Sequence, residues 1–408
     1  MILRAAGISL TIVLSLPLAS SAQDSDPARL LDRAVANGDA TAAQEAIDRG
    51  ADVNVPDGTS LTPLMRAAGR GYAEVVQRLI AAKATVNASA AAGDTALFAA
   101  AIAGHARVVT MLLANGAAVE STDRNGVTPL MAAAQLGTAE VVRALLAGGA
   151  SVATRTKEGY TAVMLAASAG QLDTIRALFD GGADVDATLA DNSTALIAAA
   201  YGGYAEVVKL LLARGANVRA ADKDGRTVLM AAAFSGSADV FSALLPLGDL
   251  DRADASGLTA VSYAAALEHL DLAQSLVAAG AKTGLGDLLV AAARLGRVDI
   301  VTALLASGTG IETPHRGGDT PLVAAAFDSQ RTIVELLLAR GANVNRADSR
   351  ARTALMGAAA SGDMQTVKTL LDKGADVESF DKKGRNAWNY ATLNGHADVA
   401  AALEAASK

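Results

Sequence analysis

Acid–base, nucleophilic or metal chemistry needs histidines, cysteines or carboxylates brought within reach of one another. This chain supplies few. It has no cysteine and four histidines: His105, His269, His315 and His396. The lack of cysteine excludes a disulfide framework, a thiolate nucleophile, a cysteine-ligated metal and a lipid-modified cysteine anchor. His105 and His396 follow a glycine at equivalent points of an internal repeat, His269 stands at the same point of an irregular copy, and His315 lies in a loop. No two are spaced to share a zinc ion. Asp52, Asp184 and Asp376 also recur at one repeat position, as turn residues at least one repeat apart. No glycine-rich phosphate loop follows a strand. The expectation is a chain that is not an enzyme and holds no metal or cofactor.

What positions every side chain is the repeat itself. The stretch Gly126-Val-Thr-Pro-Leu-Met-Ala-Ala-Ala-Gln-Leu-Gly137 recurs along the chain. Thr62, Thr95, Thr128, Thr161, Thr194 and Thr227 are spaced by 33 residues, and Thr320 and Thr353 resume the series. A fixed period of this size marks a solenoid, one domain that grows by addition. Counting from the threonine, plus two is apolar (Leu64, Leu97, Leu130), plus five and six are alanines (Ala67-Ala68, Ala133-Ala134), and plus nine is glycine (Gly71, Gly104, Gly137). This reads as a short first helix, capped by threonine at its start and closed by a glycine that tolerates positive φ. Pro63, Pro129 and Pro321 suit its first turn. A second helix follows with apolar residues three and four apart, as in Val75, Val76, Leu79 and Ile80. It ends at Gly-Ala pairs such as Gly149-Ala150, and about ten polar, turn-rich residues project before the next threonine.

This unit resembles the ankyrin repeat, through its Thr-Pro-Leu segments and through Gly50-Ala-Asp-Val-Asn54, Gly182-Ala-Asp-Val-Asp186 and Gly341-Ala-Asn-Val-Asn345. The resemblance covers about residues 27 to 408. It implies an all-α repeat solenoid of helix-turn-helix units with projecting hairpin loops. About 12 units are anchored at Arg29, Thr62, Thr95, Thr128, Thr161, Thr194, Thr227, Thr259, Asp287, Thr320, Thr353 and Asn386. The chain departs from the family after Thr-Pro-Leu, where a histidine commonly ties adjacent loops. Here Met65, Phe98, Met131, Met164, Ile197, Met230 and Met356 replace it, which leaves the rigidity of the loops open.

Residues 23–408 are thus expected to form a single solenoid with capping terminal units, in which Trp388 packs the end of the stack. Residues 237–290 are irregular. Thr227 to Thr259 is 32 residues, Pro246 falls where a second helix should finish, Glu268 replaces the plus-nine glycine, and Gly280 to Asp287 is five residues short. The projecting hairpin must be lost or cut to a tight turn there, either as tolerated drift or as a notch or hinge that a partner uses.

Residues 1–22 stand apart. A basic start (Arg4), an apolar run from Ala5 to Leu18, and Ser20-Ser21-Ala22 read as a cleaved secretory signal peptide. The apolar run is short for a span, which needs about 20 residues, and no later stretch reads as a membrane helix. The expectation is an exported chain, periplasmic or secreted, of bacterial type; the absence of cysteine agrees with this.

The resemblance implies a groove lined by the first helices, with plus seven and plus eight facing it. Ile102, Leu136, Tyr201, Phe234, Leu267 and Phe327 fall there, as a contact surface or as rings folded onto the next repeat. Loop tips carry Lys157, Lys223, Arg226, Arg350, Arg352 and Lys383 on a chain of net charge -7. These form either a basic edge for an acidic partner or a solvated surface. No dense basic patch with stacking aromatics suggests nucleic acid. Two functions remain: a non-catalytic protein-binding scaffold or adaptor, or a structural, self-associating protein. A small-molecule carrier comes third, since open solenoids rarely enclose a pocket.

Overall fold

The computed structural model describes residues 26–408, so the leader expected at residues 1–22 lies outside the described residues. The chain forms two compact units, one ending at Lys223 and the other running from Asp224 to Lys408.

The first unit contains six helix pairs: α1 (Pro27–Asn37) with α2 (Ala40–Asp48), α3 (Pro63–Gly69) with α4 (Ala73–Ala81), α5 (Ala96–Ile102) with α6 (Ala106–Ala114), α7 (Pro129–Leu136) with α8 (Ala139–Ala147), α9 (Ala162–Ser168) with α10 (Leu172–Asp180), and α11 (Ala195–Tyr201) with α12 (Ala205–Ala213). The second contains six more: α13 (Val228–Ser235) with α14 (Ala238–Leu244), α15 (Ala260–Ala266) with α16 (Leu270–Ala278), α17 (Leu285–Arg294) with α18 (Val298–Ala306), α19 (Pro321–Phe327) with α20 (Arg331–Ala339), α21 (Ala354–Ser361) with α22 (Met364–Asp372), and α23 (Ala387–Leu393) with α24 (Ala397–Ala406). Within each unit the first helices stack on one another in a row. The fold is an all-α repeat solenoid. Among the described residues the β features are isolated bridge residues, such as the pair Thr188 and Thr194, so the hairpins are held by other means.

Nine first helices start at their threonine, whereas α1 starts at Asp26, α17 at Gly284 and α23 at Asn386. The Thr128 hydroxyl accepts the Met131 N–H at 3.2 Å, and Thr62, Thr95, Thr194 and Thr353 cap at 3.3, 3.2, 3.3 and 3.4 Å. A cap of this kind contributes about 1 kcal/mol. The alanine pairs at plus five and six are fully buried, which lets neighbouring first helices approach closely. Gly357 takes this furthest: a β-carbon there would stand 2.8 Å from the Phe327 backbone nitrogen. Met65, Met131 and Met230, in the family's histidine position, are buried, and the Met230 sulfur accepts the Thr227 N–H at 3.4 Å.

Two other sets of bonds tie the loops. In several repeats the last residue of the Gly-Ala-Asp-Val-Asn segment, or its equivalent, accepts a backbone N–H of the following repeat. Asn54 takes Thr85 at 2.7 Å, Asn87 takes Ala118 at 2.8 Å, Asp186 takes Asn217 at 2.9 Å, and Asn345 takes Asp376 at 2.8 Å. Hairpin tips also bond to one another. The N–H groups of Arg124, Lys157 and Lys223 donate to the carbonyls of Ala92, Asn125 and Asp191; in the second unit Ser349 and Lys382 donate to Gly318 and Arg350.

The plus-nine glycine does more than end a helix. Gly71 has φ 75° and Gly236 φ 71°. Against them lie the rings of His105 and His269, each the plus-ten residue of the next repeat, and His396 covers Gly362 likewise. Three of the four histidines are therefore packing groups. At the C-terminal repeat, Trp388 is 42% and Leu393 70% exposed, so Trp388 only half-packs the end of the stack.

Candidate functional site

The plus-seven and plus-eight residues stand at the C-terminal ends of the first helices, where the helix has turned its small alanines inward. In the first unit Leu136 is 43% exposed at the end of α7, while Ile102 on α5 and Tyr201 on α11 are half-buried. In the second unit Phe234 on α13 and Leu267 just after α15 are 44% and 40% exposed. Leu295, just after α17, is also exposed. The three follow one another on adjacent first helices, because α13 packs on α15 and α15 on α17. They make an apolar strip flanked by Glu268, Arg294 and Asp328.

Phe327 behaves differently. It is half-buried, its ring meets Tyr390 edge-on with centroids 5.9 Å apart, and the Arg352 guanidinium lies 4.4 Å from its centroid. It belongs to a network. Arg352 Nε donates to Asp348 at 2.6 Å, and Nη2 donates to Asp319 at 3.2 Å. Beside it Arg385 lies 4.6 Å over Tyr390 and donates to Asp381 at 2.7 Å.

The hairpin tips divide in the same way. Lys157, Lys223, Arg350 and Lys383 are exposed. Arg226 and Arg352 are half-buried and satisfied: Arg226 lies 3.0 Å from Asp224 and donates to the Tyr263 hydroxyl at 3.3 Å. Under the tips sits an aspartate five residues before the cap. Asp348 Oδ1 accepts the N–H groups of Arg350 and Arg352, both at 2.8 Å, and Asp381 Oδ1 accepts those of Lys383 and Arg385 at 2.8 and 2.9 Å. The basic tips are thus built around buried carboxylates. In two repeats a tyrosine at plus four donates to this aspartate, Tyr263 to Asp254 and Tyr390 to Asp381, each at 2.8 Å.

These contacts perturb the groups concerned. Burial alone would raise the Asp381 carboxyl, but the Arg385 side chain and N–H, the Tyr390 hydroxyl and the Lys383 N–H outweigh it and hold the group well below the ordinary aspartate value. Burial and the bond to Asp381 push the Tyr390 phenol up. Asp363 is also held low: burial is outweighed by the Thr366 hydroxyl and N–H and by Arg331 at 2.8 Å.

The sequence alone missed the aspartate–arginine–aromatic networks. Their signal is a column of aspartates before the cap set beside tyrosines at plus four. His315 stands in that aspartate column and does the same work, its Nδ1 accepting the Gly317 N–H at 2.9 Å. Among the described residues no three histidines, aspartates or glutamates are grouped to hold a metal, and no helix is long and apolar enough to cross a membrane.

A family model described as ankyrin repeats (3 copies) matches the chain at residues 31–123, 115–189, 181–254, 196–287, 261–348 and 345–407. No curated protein matches it.

Proposed function

The chain belongs to the ankyrin-repeat family, and from that membership we propose that it is a non-catalytic scaffold or adaptor that binds another protein along the ends of its first helices. The observation that carries this reading is the strip Phe234, Leu267 and Leu295 on three adjacent helices. Solvent-facing apolar side chains in a row favour burial against a partner, and aromatic anchors commonly carry the binding energy. The exposed tips, Lys157 and Lys223 in the first unit and Arg350 and Lys383 in the second, each favour an acidic surface on what they meet. On the reading of residues 1–22 as a leader, the partner is met in an exported compartment.

The test is a photo-crosslinking amino acid at Phe234, with a control at Lys209 on the second helix α12, in the source cell. A discrete adduct with another protein from position 234 and not from 209 is the expected result. No adduct from 234, with adducts from Lys157 or Lys383 instead, would move the contact to the tips.

A second reading has its own observation. Trp388 and Leu393 leave an apolar face on the C-terminal repeat, which suits self-association. A crosslink from position 388 to a second copy, with a concentration-dependent mass by sedimentation, would favour it.

A further inference from the structure

The repeat anchored at Asp287 has no projecting hairpin. Between Ala278, the end of α16, and Leu285, the start of α17, six residues (279–284) make a tight turn. Asp251 Oδ1 pins that turn, accepting the N–H groups of Lys282 and Thr283 at 2.7 and 2.9 Å. In place of a hairpin, the Arg316 side chain reaches across to Gly257, its Nη2 lying 2.5 Å from where a β-carbon on that glycine would stand. Below it is a cavity of about 160 Å³ between α15, α17 and the loop before α19.

The lining of this cavity is specific to this place in the chain. Leu258, Val290 and Leu295 form apolar walls. Asp287 lines it from the position where other repeats carry the cap threonine, and is only 7% exposed. One carboxylate oxygen accepts the Arg316 N–H at 3.0 Å. The other accepts no hydrogen bond from a described residue and keeps some access to solvent. Glu268 also lines the cavity, with φ 63°, at the plus-nine position held by glycine in ten of the twelve repeats. That conformation costs a side-chain residue about 1 kcal/mol or more. In all, four carboxylates (Glu268, Asp287, Asp319, Asp328) face the guanidinium groups of Arg294 and Arg316 and the His315 imidazole, and Asp319 is also held by Arg352 at 3.2 Å. Arg294 is already engaged by Asp328 at 3.0 Å, and His315 Nδ1 by the Gly317 N–H.

We propose that this notch takes one lysine or arginine side chain of the partner protein, an inference that rests on the protein-binding reading above. An aliphatic stem fits the apolar walls while a cationic end reaches the carboxylates at the base. The cavity is smaller than the roughly 300–1,000 Å³ of small-molecule sites, which matches a single side chain. Leu295 belongs both to the notch and to the apolar strip, so a partner lying on Phe234 and Leu267 delivers its side chain here. The basic residue then sets the partner's register along the strip.

The proposal is tested on the full chain by following the methyl resonances of Leu258, Val290 and Leu295 during titration with Nα-acetyl-lysinamide, Nα-acetyl-argininamide and, as the uncharged isostere, Nα-acetyl-norleucinamide. The expected result is saturable shifts confined to these methyls with the two cationic probes, and an affinity about tenfold lower in E268Q and in D287N. Asparagine at 287 retains an oxygen for the Arg316 N–H, and thermal unfolding of both variants verifies folding. Equal shifts with norleucinamide, no shift with either cation, or unchanged affinity in both variants overturns the proposal. The titration needs no partner protein, so failure of the notch is read separately from failure of the crosslink at Phe234.

Discussion

The guanidinium carbon of Arg352 sits 4.4 Å from the Phe327 ring centroid, while its nitrogens hold Asp348 and Asp319. One side chain therefore joins a hairpin to the first helix of the preceding repeat by charge and by ring contact at once. Lysine keeps the charge but neither the planar fork nor the stacking. We expect R352K to destabilise the second unit by about 1–2 kcal/mol, measured as a lowered urea midpoint. A double-mutant cycle with Phe327→Leu should show coupling; additive losses would mean the two residues act separately.

Acid should loosen the same region. Asp381 and Asp363 are held below the ordinary aspartate value by the bonds they accept in the folded chain. Such groups contribute stability that is fully present above the unfolded aspartate value of about 3.9 and is lost as pH falls through the lower folded value. D381N should therefore be less stable than the parent at pH 7, with the difference shrinking as pH is lowered below about 4. Chemical denaturation at a series of pH values reads this directly, and a difference that stays constant with pH would contradict it.

Gly71 and Gly116 have nearly the same backbone, φ 75° and 81°, but only Gly71 has a ring against it. Alanine at Gly116 should cost about 1 kcal/mol for its left-handed conformation alone. Alanine at Gly71 must also displace the His105 ring, and we expect a loss of 2 kcal/mol or more on the order of a core clash. Adding His105→Ala to Gly71→Ala should recover part of that excess and leave Gly116→Ala unaffected.

At Glu268 the expected sign is opposite. Glycine relieves a φ of 63°, so E268G should raise the thermal midpoint by an amount equivalent to about 1 kcal/mol. The same change removes a carboxylate from the notch and should weaken binding of Nα-acetyl-lysinamide. A variant that is both more stable and still binds would separate the strain from the notch.

The helices, their caps and the glycines between them were legible because each depends on residues near one another in the chain. Thr128 caps Met131 three positions on, and Gly137 ends the same helix. The contacts that were not legible join repeats. His105 packs on Gly71, Asn54 accepts from Thr85, and Arg226 reaches Tyr263. Such pairs show only when repeats are read in columns, since neither partner's neighbourhood in sequence marks it. The members of the candidate rows differ in exposure. Leu136, Phe234 and Leu267 are exposed at their helix ends, whereas Phe327 is half-buried and held by Arg352 and Tyr390. Arg226 and Arg352 look from sequence like Lys157 and Lys383, and differ because their forked heads find carboxylates within reach.

The contact between ring and glycine has a direction: the ring belongs to the later repeat and the glycine to the earlier one. Tyr72, His105, Thr138 and Gln171 each meet the plus-nine glycine of the preceding repeat, so that glycine accepts plus-ten side chains of quite different shape. A period gained or lost would set a new plus-ten side chain against a glycine that has no β-carbon in its way.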